Sequence, residues 1–597
     1  MKMKSFMLLG CLGMLMLSGI LTAQTDAVAE QMQWFKDAKF GMFIHFQAPR
    51  NGEFDWSNLD TKEWVRIAKA GGMKYIVLTT KHSSQIPLWE SSFSNRDITD
   101  RTSFKRDIVK ELKAACTAEG IRMGSYYNIA DSTHPNPDIT NYVDYLYGMM
   151  KELCELHQPC LIWFDASRPF QHPADKPLLR QQEFVDMLNS YGTLSNSRLG
   201  DDDAMRYVNY LTMNDNMAPA INLGMQWETA VTITEDGSWH FSNAELRSVK
   251  ELLHRLINAA GNGGNLLLNV GPDKYGVIPK EMEERLKTMG DWLKKNGEAI
   301  YATEPGPYRY EISWGSITQR KGKDRTSLYL NVVDWPKDGK FTLFGVNNPV
   351  LKASLLSTGE AIKSESKFDV SSGQSLISLD IPKEAPDDYV SVIKLVVAGT
   401  VSMDPAFMQM SDGKVVLGTY NATIHDVAYV PGKPTKAIDM KMFTVPDRRP
   451  LLPGDITEPW DYQMYKKAGE GIMPGRGITV SGFHTKGQAL SWDFKVYKPG
   501  TYKVVVVCHV NKGQAWDVEG RVRAHVAGQT IENKLIEDKR VVPYTMNENI
   551  LDLHAILGTV KIDSAGAHTL TLEIAEDLTA AKPRFRSVML VPVSQDK

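Results

Sequence analysis

A parallel (β/α)8-like barrel followed by two antiparallel β units is the architecture that the 597-residue sequence predicts. Three observations point to it. From Trp34 to about Thr303, short β-rich apolar runs alternate with longer stretches whose apolar residues recur every three or four positions, the pattern of a parallel strand–helix array. After Gly306-Pro307 the helical period disappears and alternation with a period of two takes over. Polar and aromatic side chains also stand at the C-terminal ends of several different runs (His45, His82, Tyr126, Asp165), which favours a barrel over a doubly wound sheet.

The elements follow in order. Lys2 and Lys4 precede an apolar stretch from Phe6 to Leu21 that ends at Thr22-Ala23-Gln24, so residues 1–23 read as an export signal and the protein as exported, periplasmic or extracellular. Leu8-Leu9-Gly10-Cys11 resembles a lipoprotein box only superficially, because most of the apolar run lies after Cys11. Residues 24–305 form the expected barrel, with strands over Lys39–Phe46, Tyr75–Thr80, Arg122–Asn128, Pro159–Asp165 and Asn265–Val270. Helices are expected over Thr61–Ala70, Lys105–Glu119 and Ala244–Ala260. Residues 306–403 read as a small antiparallel sandwich, with a strand over Ser327–Val333 and a turn at Lys337-Asp338-Gly339. Residues 404–597 read as a second sandwich with a Pro/Gly-rich entry at 429–434 and strands over Thr501–His509 and His568–Ile574.

Composition narrows the function. A hydrophobic fraction of 43%, a charged fraction of 23% and a net charge of −3 are ordinary for a globular chain. With no long run of like charge, neither a nucleic-acid stripe nor an acidic tail is present. No segment after the signal has the ~20 apolar residues needed to span a bilayer. Cys116, Cys154, Cys160 and Cys508 make no disulfide framework and no CxxC pair, so buried thiols are expected and no metal or other cofactor.

Two carboxylates carry the chemistry. Asp165 ends the apolar run Leu161-Ile162-Trp163-Phe164, on the same strand face as Trp163. It reads as a catalytic group at a strand end or, alternatively, as a cap on the following helix. Glu228 lies beside Trp227 in Gln226-Trp227-Glu228-Thr229, where burial against the indole would raise its pKa. Two such acids at different strand ends are the minimum for glycoside hydrolysis, one attacking the anomeric carbon and one protonating the leaving oxygen.

Taken as a set, the motifs resemble the retaining α-L-fucosidase family, glycoside hydrolase family 29. The resemblance rests on Trp34-Phe35 with Ala38–His45, Tyr75–His82, Gly124-Ser125-Tyr126-Tyr127, Trp163-Phe164-Asp165, Trp227-Glu228 with Ser238-Trp239, Asn265–Pro272 and Asn296–Tyr301, and it covers about residues 30–400. It implies a double displacement with Asp165 as nucleophile and Glu228 as acid and then base. It further implies His45 and His82 holding sugar hydroxyls, Arg198 near the ring, and Phe43 and Trp163 walling a 6-methyl group, with Tyr126 and Trp239 at the same site. Each histidine has the alternative of a structural imidazole, and Arg198 that of a surface ion pair.

The chain departs from the family at several points. Phe46-Gln47 stand where members usually show Trp-Gly, His82-Ser83-Ser84-Gln85-Ile86 where they show His-His-Asp-Gly-Phe, and Ala166 where Gly follows the nucleophile. The expected function is release of terminal α-L-fucose from an oligosaccharide or glycoconjugate. An α-L-galactoside or α-L-glucoside cleaved by the same mechanism, a hydrolase of another mechanism, and a catalytically silent glycan-binding protein are the alternatives. The last domain resembles carbohydrate-binding jelly rolls, with Trp460, Tyr465 and Trp516 as stacking aromatics or core residues.

Overall fold

The structure is a computed structural model that describes residues 27–49, 56–101, 105–130, 139–165, 176–199, 207–425, 437–438, 473–475, 479–579 and 583–593. The export signal, the entry at 429–434, Ala166, Trp460 and Tyr465 lie outside the described residues.

Eight parallel strands form the first sheet: β1 (Phe40–Ile44), β2 (Tyr75–Lys81), β3 (Arg122–Asn128), β4 (Leu161–Asp165), β5 (Leu194–Ser195), β6 (Leu211–Thr212), β7 (Trp227–Thr232) and β8 (Gly264–Val270). Their order is β5-β4-β3-β2-β1-β8-β7-β6, and a parallel bridge between Asn196 and Tyr210 joins the two edges into a barrel. β1, β2, β7 and β8 are buried at every position, as strands covered on both faces must be.

The helices start where the sequence supplies caps. Asp60 accepts from the Lys62 amide ahead of Thr61–Ala70, Asp107 from Lys110 ahead of Ile108–Glu119, and Ser248 from Glu251 ahead of Val249–Gly261. The third of these helices starts five residues later than its apolar pattern suggests, with Ser248 as its cap. The alternation is incomplete: among the described residues no helix separates β5 from β6 or β6 from β7. Segment 213–226 is instead a loop lying over the barrel, turned at Asn216 with φ 59°.

A helix over residues 27–38 closes the N-terminal end of the barrel. Its Phe35 is fully buried, with ring centroids 5.7 Å from Tyr75 and 4.6 Å from Tyr210. Gly41 makes this possible, since a Cβ there would stand 2.4 Å from the Tyr75 ring.

The antiparallel units follow. Between Glu304 and Ala398 a five-stranded sheet and a three-stranded sheet enclose a core of residues such as Leu330, Leu343 and Leu395. It rests on the barrel through the Trp292 indole donating to Val390 O at 2.8 Å and Ser316 Oγ donating to Ile257 O at 2.8 Å. From Phe407 to Pro592 two seven-stranded sheets form the last unit. There Trp516 donates to Leu535 O and packs on the core rather than standing free. Cys116, Cys154, Cys160 and Cys508 are buried free thiols. Among the described residues, no helix is long and apolar enough to cross a membrane.

Candidate active site

The C-terminal mouth of the barrel gathers an aromatic cup. Phe43 and His45 from β1 and its exit have ring centroids 4.4 Å apart. Tyr126 of β3 stacks on Trp163 of β4 at 5.6 Å and on His82, after β2, at 5.1 Å. Trp239, from the loop after β7, lies 4.9 Å from His45 and 6.1 Å from Phe43. Phe43 and Trp163 are almost wholly buried, so they form the floor of this cup.

Asp165 is the last residue of β4 and opens into the cup with 32% of its side chain exposed. Tyr126 Oη donates to Oδ2 at 2.9 Å and Arg198 Nη1 to Oδ1 at 3.1 Å. These charge-assisted bonds fix the orientation of the carboxylate at the mouth. Arg198 also lies 4.6 Å over the Trp163 ring. Burial works against its charge, but Asp215 and Asp165 outweigh it and raise its pKa.

Glu228 does not stand at this mouth. It is the second residue of β7, four strand residues short of the C-terminal end, with 0% of its surface exposed. Tyr75 Oη, from the first residue of β2, donates to Oε2 at 2.5 Å, and Trp163 Nε1 donates to Oε1 at 2.9 Å. Burial raises its pKa to about 7 against the opposing effect of those two bonds. The sequence expectation of a raised pKa therefore holds while that of a strand-end position does not. Trp227, the source of the expectation, turns away and donates to Asn262 O.

The carboxylate that does share the mouth with Asp165 is Asp215, on the loop after β6. Arg198 Nη2 donates to its Oδ1 and to Met213 O, so one guanidinium joins Asp165 to Asp215. Half of the Asp215 side chain, 49%, is exposed. Nothing in Asn214-Asp215-Asn216 marks it in the sequence, because it lies on a loop without strand or helix period.

The imidazoles are orientated by amides. Asn269 Nδ2 donates to Trp239 O, which turns its Oδ1 to accept from His45 Nδ1 at 2.5 Å and leaves His45 Nε2 as the ring's acceptor. Gln47 Oε1 receives Ser84 N at 3.0 Å, Ser83 Oγ at 3.3 Å and His82 Nδ1 at 3.2 Å. Its Nε2 then faces His240 Nε2 at 3.3 Å. His240, next to Trp239 and absent from the sequence reading, completes a trio with ring centroids 5.1 Å from His82 and 5.8 Å from His45. Burial lowers the pKa of all three, that of His82 to about 4, so they are neutral donors and acceptors.

Comparison with known proteins agrees with this geometry. The family model for alpha-L-fucosidase matches residues 50–298. Over that stretch, the greater part of the barrel, the chain is similar to the α-L-fucosidase family. A plasma alpha-L-fucosidase of Rattus norvegicus is 29% identical over 367 residues, 52% of this chain and 79% of that protein. An alpha-L-fucosidase of Dictyostelium discoideum is 28% identical over 419 residues, 60% of this chain and 90% of that one. Among solved structures, alpha-L-fucosidase isoenzyme 1 of Paenibacillus thiaminolyticus aligns at 27% identity and TM-score 0.55, over 62% of this chain and 99% of that one. The fold of the alpha-L-fucosidase from Vibrio sp. strain EJY3 follows 94% of this chain and 98% of its own at TM-score 0.73 and 23% identity. The Vibrio fold thus extends over nearly all of this chain, whereas the Paenibacillus structure aligns with 62% of it.

Proposed function

We propose that the protein is an exported, exo-acting retaining glycosidase that releases terminal α-L-fucose from glycans. The observation that carries this reading is Asp165, held at the end of β4 and joined through Arg198 to a second, half-exposed carboxylate on the same mouth. Retaining glycosidases set their two carboxyls about 5–5.5 Å apart across one pocket, and here one guanidinium contacts both carboxylates.

In the first step Asp165 attacks the anomeric carbon and the glycosidic C–O bond breaks, leaving a covalent glycosyl-enzyme. The leaving oxygen takes a proton from a neighbouring carboxylic acid, which then deprotonates the water that cleaves the ester. Asp215 is placed for that role. Glu228, enclosed beneath Trp163 and bonded through both oxygens, is placed to anchor the barrel interior. His45, His82 and His240 hold sugar hydroxyls, and Phe43, Trp163 and Trp239 supply apolar surface for the ring and its methyl group.

The test is a series of aryl α-L-fucosides with leaving groups of increasing pKa, assayed on Asp215→Asn and Glu228→Gln. An Asp215→Asn loss that grows with leaving-group pKa supports the assignment. Growth in Glu228→Gln instead would restore Glu228 to the acid role.

The gripping wall differs from the family pattern through Ser83 and Gln47, with His240 on the opposite side of Gln47, while the Phe46 ring packs away from it against Trp56 and Trp64. This favours a specific glycan or a related α-L-sugar over a simple aryl fucoside as the best substrate.

A further inference from the structure

Among the described residues, the last β unit meets the barrel through one strand connection. Its strands Glu537–Val541 and Ile550–Ile562 are antiparallel neighbours, and the connection between them is wedged against the barrel. Thr545 O accepts from the Ala218 amide at 2.8 Å, and Met546 O accepts from Arg255 Nη2 at 3.3 Å. The Tyr544 ring stacks on His254 with centroids 3.7 Å apart. Thr545 and Met546 are buried, so the contact is dry at its centre.

The groups they meet lead directly to Asp215. The same Arg255 guanidinium donates through Nη1 to Asn216 O at 3.2 Å. Asn216 is the left-handed residue that turns the loop, and its side chain accepts from the Thr232 amide at 2.7 Å at the top of β7. Arg255 is 2% exposed, and a buried guanidinium is stable only while acceptors surround its donors. If Met546 O and Thr545 O are removed, the Ala218 amide loses its acceptor and Arg255 is left held by Glu251 and Asn216 O alone, beside the Asp215 loop. The connection also meets the loop carrying Trp239 and His240, where a Cβ on Gly237 would stand 2.5 Å from Glu548 Oε1.

We propose that the C-terminal β unit is a positioning part of the catalytic centre: its 543–548 connection, through Arg255 and Ala218, holds the loop that carries Asp215. The inference rests on Asp215 as the acid. Its role requires no glycan bound by the C-terminal unit itself.

The experiment uses the full chain with residues 543–548 replaced by a short Gly-Asn-Gly turn, and Tyr544→Ala as a milder variant, with Tyr544→Phe retaining the stacked ring. Correct placement of a general acid is worth about 10²–10⁴-fold. Both disruptive variants should therefore lose roughly 10-fold or more in kcat/KM on fucosides with poor leaving groups and little on those with the best. Tyr544→Phe should match the wild type, and Asp215→Asn added to the turn variant should cost little more. A uniform loss or no loss in the turn variant and in Tyr544→Ala, alongside a steep dependence in Asp215→Asn, would overturn the bracing role. A flat profile for Asp215→Asn itself would overturn the acid assignment and this inference with it.

Discussion

Replacing Glu228 with Gln isolates what a fully buried carboxyl contributes inside the barrel. Its folded pKa of about 7 lies above the ordinary glutamate value of 4.5 that the unfolded chain adopts. The folded state therefore binds the proton more tightly. The stability so gained is fully present below about pH 4.5 and is lost as the pH rises through about 7. A difference of about 2.5 units at about 1.4 kcal/mol per unit amounts to roughly 3 kcal/mol. At about 1–2 °C per kcal/mol for a unit of this size, that moves an unfolding midpoint by roughly 3–6 °C. The assay is thermal unfolding of wild type and Glu228→Gln at intervals from pH 4.5 to 7.5, read as the difference between the two curves so that other titrating groups cancel. Wild type should lose stability relative to the Gln variant across the window. A difference that stays constant with pH would refute a neutral Glu228 held by Tyr75 and Trp163.

Further outcomes follow from the same geometry. Asp165→Gly should abolish turnover and recover activity with added azide, giving a glycosyl azide of inverted configuration detectable by NMR, because the cavity admits an external nucleophile. Arg198→Ala removes the bond that holds Asp165 and Asp215 together, and steady-state kinetics should show a kcat loss of about 100-fold or more. Gln47→Ala frees His82 and His240, so KM should rise while kcat changes little, at about 1–3 kcal/mol of binding per lost hydroxyl contact. Wild type should turn over a simple aryl α-L-fucoside weakly, and Ser83→His should not restore it, because Gln47 still fills the space beside Ser83. A strong wild-type rate on that substrate would make Ser83 a tolerated variation.

The barrel was legible because its strands are apolar runs buried on both faces and its helices carry an apolar face every three or four positions, a local signal, although the starts set by Asp107 and Ser248 fell later than that period suggests. Residues at the C-terminal ends of regular strands were legible too: His45, Tyr126 and Asp165 project into the cup because strand ends do so in any barrel. Glu228 misled because the residue beside an aromatic in sequence is not its neighbour in space. Successive strand side chains point to opposite faces, so Trp227 faces the outer helices while Glu228 faces the interior. Asp215 and His240 escaped notice because loops carry no periodicity and their placement depends on distant partners, Arg198 and Gln47. The C-terminal connection was unreadable for the same reason, since its Tyr544 meets His254 across 290 positions of chain.

The most direct test of the account is to incubate the protein with a 2-fluoro fucosyl fluoride, digest it, and locate the added mass by tandem mass spectrometry. Fluorine at C2 slows breakdown of the covalent ester, so the nucleophile keeps its sugar. The account predicts a single fucosyl adduct on Asp165, within the peptide that contains Leu161–Asp165. An adduct on Glu228 or Asp215, or an unlabelled protein that nonetheless hydrolyses α-L-fucosides, would contradict it.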